Sequence, residues 1–356
     1  MPMASAQRYV DPAFLARERL EVFGRSWLVV AREQWLQSAG DFLTVNDLGV
    51  PLIILRDNAG ELRSFVNSCR HRGTKLLDGR GNISAIRCPY HDWKYALDGR
   101  LRHVPGAAEF ESLERSELGL KPVRTETWAG FVWVCLEPEA PPLRASLNGL
   151  EEELAPYRLE EMTAIQEKTW VVPCNWKALL DNATESYHLG PVHGASIDPH
   201  VQDAPEFRTY GDHYRLTLDI GDYWWRPFLD SQTARRGPYT EKQKSALHKY
   251  VIFPNFLINV LPYHLTVFQV WPINPGSCRF FYGFYKRSGA RGLEWLRAVG
   301  TWMASRYILL EDLKILERFQ EGVTAGADNQ HRFGPGEEAI AHFHQVLTRW
   351  LSAGKS

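Results

Sequence analysis

The hydrophobic pattern changes character partway along the chain. From about residue 40 to 138, apolar residues come in short runs broken by turn chemistry. Positions 42–45, 51–55 and 62–66 read as short strands, rich in β-branched, aromatic or aliphatic residues. Between them lie Asn46-Asp47-Leu48-Gly49 and Asp57-Asn58-Ala59-Gly60, both rich in turn formers. Asp98-Gly99 is a hairpin signal, and 131–134 supplies a closing strand. Strands spaced this closely predict a small antiparallel sandwich over 40–140.

Pro138, Pro141 and Pro142 mark a boundary. After it, 150–162 reads as a Glu-rich helix. Strands are expected at 214–220, 256–260, 266–271 and 280–285, and a long helix at 293–322. Residues 1–39 include a helical stretch at 12–23 and are expected to pack on the second domain, 141–356. No repeat and no low-complexity segment interrupts the chain.

Composition narrows the partners. The 356 residues suffice for about two domains with full cores. With 44% hydrophobic and 23% charged residues and a net charge of −1, the chain offers no electrostatic footprint for nucleic acid or an anionic membrane. The first ten residues lack the apolar core of a signal peptide. The longest apolar runs, such as 131–136, are too short to span a bilayer. Five cysteines form no disulfide framework, so a reducing cytoplasm is the expected setting.

The candidate chemistry sits in two constellations. The first is Cys69-x-His71, then Cys88-x-x-His91, with flanks Cys69-Arg70-His71-Arg72-Gly73 and Cys88-Pro89-Tyr90-His91-Asp92-Trp93. A Cys2His2 zinc site would separate its Cys pair from its His pair, whereas here each short loop offers one thiolate and one imidazole. Two Cys and two His on paired loops is the ligand set of a Rieske [2Fe–2S] cluster, in which two His replace two Cys on one iron. Cys135, Cys174 and Cys278 are left over and read as small buried hydrophobes.

The second constellation runs from Asn175 to His193. Asn175 is a plausible N-cap, and Asp181, Glu185 and His188 share one face of the helix that follows. Gly190-Pro191 is expected to end that helix, letting His193 turn back toward His188. Two imidazoles beside carboxylates make half of a metal site. A 2-His-1-carboxylate site for non-haem Fe(II) needs one more oxygen. The long helix offers Asp312 within its apolar stripe Ile308, Leu309, Ile315, Leu316 and Phe319, where a bare carboxylate is costly. The alternative is a buried Asp paired with an Arg or His elsewhere. Glu311 faces Lys314 and Arg318 and reads as a solvated salt-bridging residue.

Together these segments resemble the α subunit of the Rieske non-haem iron oxygenases, the ring-hydroxylating oxygenase family, over nearly the whole chain. The resemblance implies an α+β protein: an antiparallel β Rieske [2Fe–2S] domain followed by a helix-grip (Bet v 1/START-like) catalytic domain. It implies Fe(II) on His188, His193 and Asp312, with Asn182 near the iron. It implies that Glu185 bridges His188 to the cluster ligand His91 of a neighbouring subunit, in head-to-tail rings that are usually homotrimers. Glu185 stands where Asp is commoner. Glu there also occurs in relatives acting on quaternary amines such as carnitine and glycine betaine. The cluster loops lack the disulfide of respiratory Rieske proteins. The implied reaction uses O2 and electrons from a ferredoxin or a flavin-containing, NAD(P)H-dependent reductase. A small aromatic compound is the expected substrate, because the family is dominated by such cases, and a quaternary ammonium compound is the alternative. Tyr223-Trp224-Trp225 and Phe253-Pro254-Asn255-Phe256 lie where the family lines its pocket. A Rieske electron carrier is the reading from a different class; it would leave the second constellation without a purpose.

Overall fold

The computed structural model describes residues 3–110, 114–194, 196, 205–219, 238–326 and 329–353. The chain divides into two compact units, one of Phe23–Leu143 and one of Met1–Val22 with Arg144–Ser356. The expected segment 1–39 is therefore split. Its helix lies in the second unit, while Leu28–Arg32 is a fully buried strand of the first.

In the first unit, seven strands form one antiparallel sheet. Their order is Leu28–Arg32, Phe131–Cys135, Pro122–Trp128, Leu62–Val66, Leu52–Arg56, Asp41–Val45 and Arg80–Asn82. Ile86–Arg87, Lys94–Tyr95 and Leu101–His103 form a separate three-stranded sheet. Its core joins Phe42, Ile53, Leu55 and Phe65 to Trp93, Tyr95 and both loop cysteines, Cys69 and Cys88. The Asp98-Gly99 turn is present, with Gly99 at φ +87°. A Cβ there would sit 2.5 Å from the Phe65 ring, so only glycine permits the close approach.

The second unit is built on a seven-stranded antiparallel sheet. Its order is Met162–Val172, Ser277–Arg287, His264–Asn274, Phe256–Leu261, Ala246–Ile252, His213–Asp219 and Glu206–Tyr210. The helix Leu293–Ala325 packs on this sheet: Trp302 Nε1 donates to Gln166 Oε1 at 3.0 Å, and Tyr282 Oη to Ser305 Oγ at 3.3 Å. This is the helix-grip arrangement. The helix expected over 150–162 is shorter, Leu150–Leu154. A 3-10 turn containing Pro156 follows it, and Arg158 at φ +48° turns the chain into the strand that starts at Met162.

The N-terminal helix Pro12–Arg17 starts where Asp11 Oδ1 accepts from Ala13 N and Pro12 needs no donor, and it continues as a π-helical turn, Glu18–Phe23. That turn buries Glu18 against Lys177, at 2.8 Å with both side chains wholly inaccessible. Among the described residues, no helix is long and apolar enough to cross a membrane.

Candidate metal centres

The first unit holds the two cysteine loops, and their backbones follow one plan. Cys69 N bonds Thr74 O, and Gly73 N returns to Cys69 O; Cys88 N bonds Trp93 O, and Asp92 N returns to Cys88 O. The residue four after each cysteine takes a left-handed conformation, Gly73 at φ +77° and Asp92 at φ +54°. Two loops of different sequence thus present their cysteine and histidine in matching fashion.

The four side chains meet. The Cys69 and Cys88 thiols are close enough that Cys88 helps raise the Cys69 pKa, and the His71 and His91 rings lie edge to face with centroids 4.7 Å apart. His71 stacks on Trp93 at 4.9 Å with 7° between planes, and His91 on Tyr90. Tyr95 Oη lies 3.3 Å from Cys69 Sγ and accepts from Arg70 N at 3.0 Å. All five cysteines are free and buried. Burial, then the neighbouring His91, lowers the His71 pKa and favours the neutral imidazole a metal needs. Its Nδ1 is buried with no hydrogen-bond partner among the described residues. Paired thiols and an unpartnered imidazole nitrogen fit a Rieske cluster.

The second unit brings His188, His193 and Asp312 together, with their ligand atoms all within 4.8 Å of one another. The route differs from the expected one. The helix Trp176–Ala183, capped by Asn175 Oδ1 on Lys177 N, stops before Glu185. Thr184 Oγ1 turns back to Leu180 O, and Glu185 Oε2 accepts from the amides of Tyr187 and His188. These polar side chains open a new turn that a reading of apolar spacing does not see. Gly190-Pro191 lies inside the next short helix, Leu189–His193, and does not end the first.

Each imidazole is held from behind. His188 Nδ1 bonds Glu185 Oε1, and its Nε2 lies 3.5 Å from Asp312 Oδ1. His193 Nδ1 lies 2.8 Å from Glu311 Oε2, and its Nε2 lies 2.9 Å from Asp312 Oδ1. A carboxylate on Nδ1 fixes the proton there and leaves the Nε2 lone pair facing the third ligand. That donor set fits one divalent ion. Glu311 is therefore no solvated salt-bridging residue: it orients His193 and also accepts from Ser196 Oγ at 2.9 Å. Helical spacing placed it off the apolar stripe, but a histidine near both side chains reaches positions 311 and 312 together.

Electrostatics follow this geometry. Burial alone would lower His188; hydrogen bonds to Asp312 and Glu185 outweigh it and hold the pKa at about 9. Burial would raise Asp312, but His188 and His193 bring it down to about 2. Asn182 and Glu185 line, with Asp181, His188, Ile315 and Phe319, a cavity of about 370 Å³. Asp181 is taken up elsewhere, accepting from Tyr9 Oη at 2.6 Å beside His344. Tyr223-Trp224-Trp225 lies outside the described residues; Phe253 and Phe256 are buried.

Comparison with known proteins agrees with both centres. Residues 26–117 match the Rieske [2Fe-2S] domain family, and 159–353 match the ring hydroxylating alpha subunit (catalytic domain) family. The carnitine monooxygenase oxygenase subunit of Escherichia coli is 29% identical over 365 residues, covering 97% of this chain and 92% of that protein. The glycine betaine monooxygenase oxygenase subunit of Chromohalobacter salexigens is 36% identical over 186 residues, 52% of this chain and 42% of that one. The biphenyl 2,3-dioxygenase subunit alpha of Rhodococcus jostii is 35% identical over 284 residues, 69% and 61%. A quaternary ammonium Rieske monooxygenase crystallised with L-carnitine shares the fold, with a TM-score of 0.81 at 24% identity over 98% of this chain and 95% of that one. Proteins of this family take electrons from a reductase or ferredoxin and act on small substrates. The chain belongs to the Rieske non-haem iron oxygenases as their α subunit, an oxidoreductase whose cofactors are a Rieske [2Fe–2S] cluster and a mononuclear iron.

Proposed function

We propose that this protein is the terminal oxygenase of a system that oxidises a quaternary ammonium compound of the carnitine or betaine type. The observation that carries the reading is the likeness to the carnitine monooxygenase oxygenase subunit, which runs through both units over 97% of the chain. Glu185, in the place where Asp is commoner, points the same way. The aromatic substrate expected from the family at large keeps one specific support, the 35% identity to a biphenyl dioxygenase subunit over 69% of the chain.

In this reading, Cys69, His71, Cys88 and His91 hold the cluster, and His188, His193 and Asp312 hold the iron. The cluster supplies electrons singly and the iron supplies O2 activation. Glu185 and Glu311 hold the Nδ1 proton of the two imidazoles and fix their direction, so that each Nε2 faces the iron site. Asn182 lines the cavity beside Glu185. The protein works as a homotrimer, in which Glu185 also receives His91 of a neighbouring subunit.

The test is direct. The purified protein is combined with a reductase and NADH and offered carnitine, glycine betaine, benzoate and biphenyl. Oxygen uptake with cleavage or demethylation of an ammonium compound is the expected result. Hydroxylated benzoate or biphenyl, with no ammonium product, would replace this reading by the aromatic one.

A further inference from the structure

One charged side chain near the iron site has no part in the chemistry so far. Lys249 stands in the middle of the strand Ala246–Ile252. It pairs directly with Leu216 on one side and Asn259 on the other, and the same row continues through Thr266 to Phe284. Paired residues share one face of a sheet. Two residues along, the next row on this face runs Tyr214, Val251, Leu257, Phe268 and Tyr282, and Tyr282 meets Ser305 of the long helix. Lys249 therefore projects from the gripping face, toward the helices that carry the triad.

Its ammonium donates to Ala183 O at 3.1 Å, at the end of the helix before Glu185. Burial lowers the Lys249 pKa, and the carboxylates of Asp312 and Glu185 pull it back up. An ammonium has three protons to donate, and Ala183 O is its one hydrogen-bond acceptor among the described residues. Cross-strand from it, Asn259 Oδ1 is buried with no partner, and the Asn259 Nδ2 donor, the atom a carboxylate would accept from, makes no hydrogen bond among the described residues. Leu216, Thr266 and Phe284 in the same row are buried, whereas Lys249 and Asn259 keep part of their surface open. A cation with two protons still to donate, beside an uncommitted amide N–H and close to a metal site, is a receptor for a carboxylate.

We propose that Lys249, assisted by Asn259, binds the carboxylate of the substrate, so that this oxygenase selects a zwitterion, with a carboxylate at one end and a quaternary ammonium at the other, over a purely cationic amine. The proposal rests on the quaternary ammonium reading and names the second charge the substrate carries. The competing role for Lys249 is structural, as a cation closing a helix end.

The experiment compares binding of two matched pairs by calorimetry, glycine betaine against choline and benzoate against benzyl alcohol, to the iron-loaded protein and to its Lys249→Met and Lys249→Arg variants. Cluster absorption and iron content are checked in each. In the wild-type protein glycine betaine binds more tightly than choline. In Lys249→Met that preference falls about 10- to 100-fold, the worth of a charge-assisted hydrogen bond, and Lys249→Arg restores part of it. Equal affinity of the wild-type protein for both members of each pair overturns the proposal without any variant. So does a preference for the carboxylate that survives Lys249→Met, including the case in which carboxylate and alcohol lose affinity equally. If benzoate binds in a Lys249-dependent way and neither ammonium compound binds, the carboxylate receptor stands and the quaternary ammonium reading falls.

Discussion

His193 Nδ1 and Glu311 Oε2 are 2.8 Å apart, and this contact sets which nitrogen of the ring faces Asp312. Two successive acids on one helix thus grip opposite edges of a single imidazole. Removing Glu311 should leave all three ligands present but one poorly aimed. Glu311→Ala is expected to weaken Fe(II) binding about 10- to 100-fold while the cluster spectrum stays unchanged. Asp312→Ala removes one of the three proposed ligands and should abolish both iron retention and turnover. Anaerobic Fe(II) titration measures both; wild-type affinity in Glu311→Ala would take Glu311 out of the site.

Glu185 combines two tasks: it holds His188 Nδ1, and it accepts from the Tyr187 and His188 amides. Glu185→Gln keeps the shape and removes the charge. Electron arrival at the iron should slow at least tenfold in single-turnover measurements, with both metals retained. Glu185→Asp shortens the reach by one methylene and should slow transfer as well. Wild-type single-turnover rates in both variants would reject the bridging role.

Loading the site displaces protons. The iron-free His188 titrates at about 9, above its ordinary 6.5, and His193 is raised too. A metal ligand must be the neutral imidazole, so Fe(II) affinity should climb about tenfold per pH unit for each proton displaced, with the His188 contribution ending near pH ~9. Calorimetry in buffers of different ionisation heat should find about one to two protons released at pH 7.5; a count of zero would contradict the assigned ligands. For the iron-free fold the sign reverses. The raised His188 contributes stability that is complete below about pH 6.5 and lost as pH rises through about 9. The depressed Asp312 contributes stability that is present above pH 3.8 and lost as pH falls through about 2.

Lys177 and Glu18 are both fully inaccessible and 2.8 Å apart, and Trp176 Nε1 also donates to Glu18 at 2.9 Å. Glu18→Gln strands a buried ammonium and should cost about 3–5 kcal/mol in denaturant unfolding. Adding Lys177→Met to it should recover much of the loss. A double variant weaker than the single one would show that Lys177 matters for packing and not for charge.

The sequence is most legible where covalent chemistry restricts the choice. The four cluster residues are readable because thiol and imidazole at those spacings serve few other ends. The strand at 62–66 and the long helix are readable from apolar period and turn residues. Leu28–Arg32 is not, because burial on both faces erases alternation. The stop after Ala183 depends on side-chain oxygens capturing backbone groups, which apolar spacing does not encode. The role of Glu311 is not legible locally, because its partner lies 118 positions away, beyond any local pattern. Lys249 gave no signal at all, since one lysine in a strand resembles any edge charge until the sheet is closed around it.

His193 and Asp312 are separated by 119 positions, yet they converge on a single point. Any ion seated there acts as a cross-link over more than a third of the polypeptide. Chain statistics make so long a loop costly to hold shut, on the order of 4–5 kcal/mol for a covalent tie of that span. Iron held there would thus also be a clasp: losing it would free the sheet and its gripped helix to drift apart, and starvation for the metal would register as fragility as well as lost chemistry.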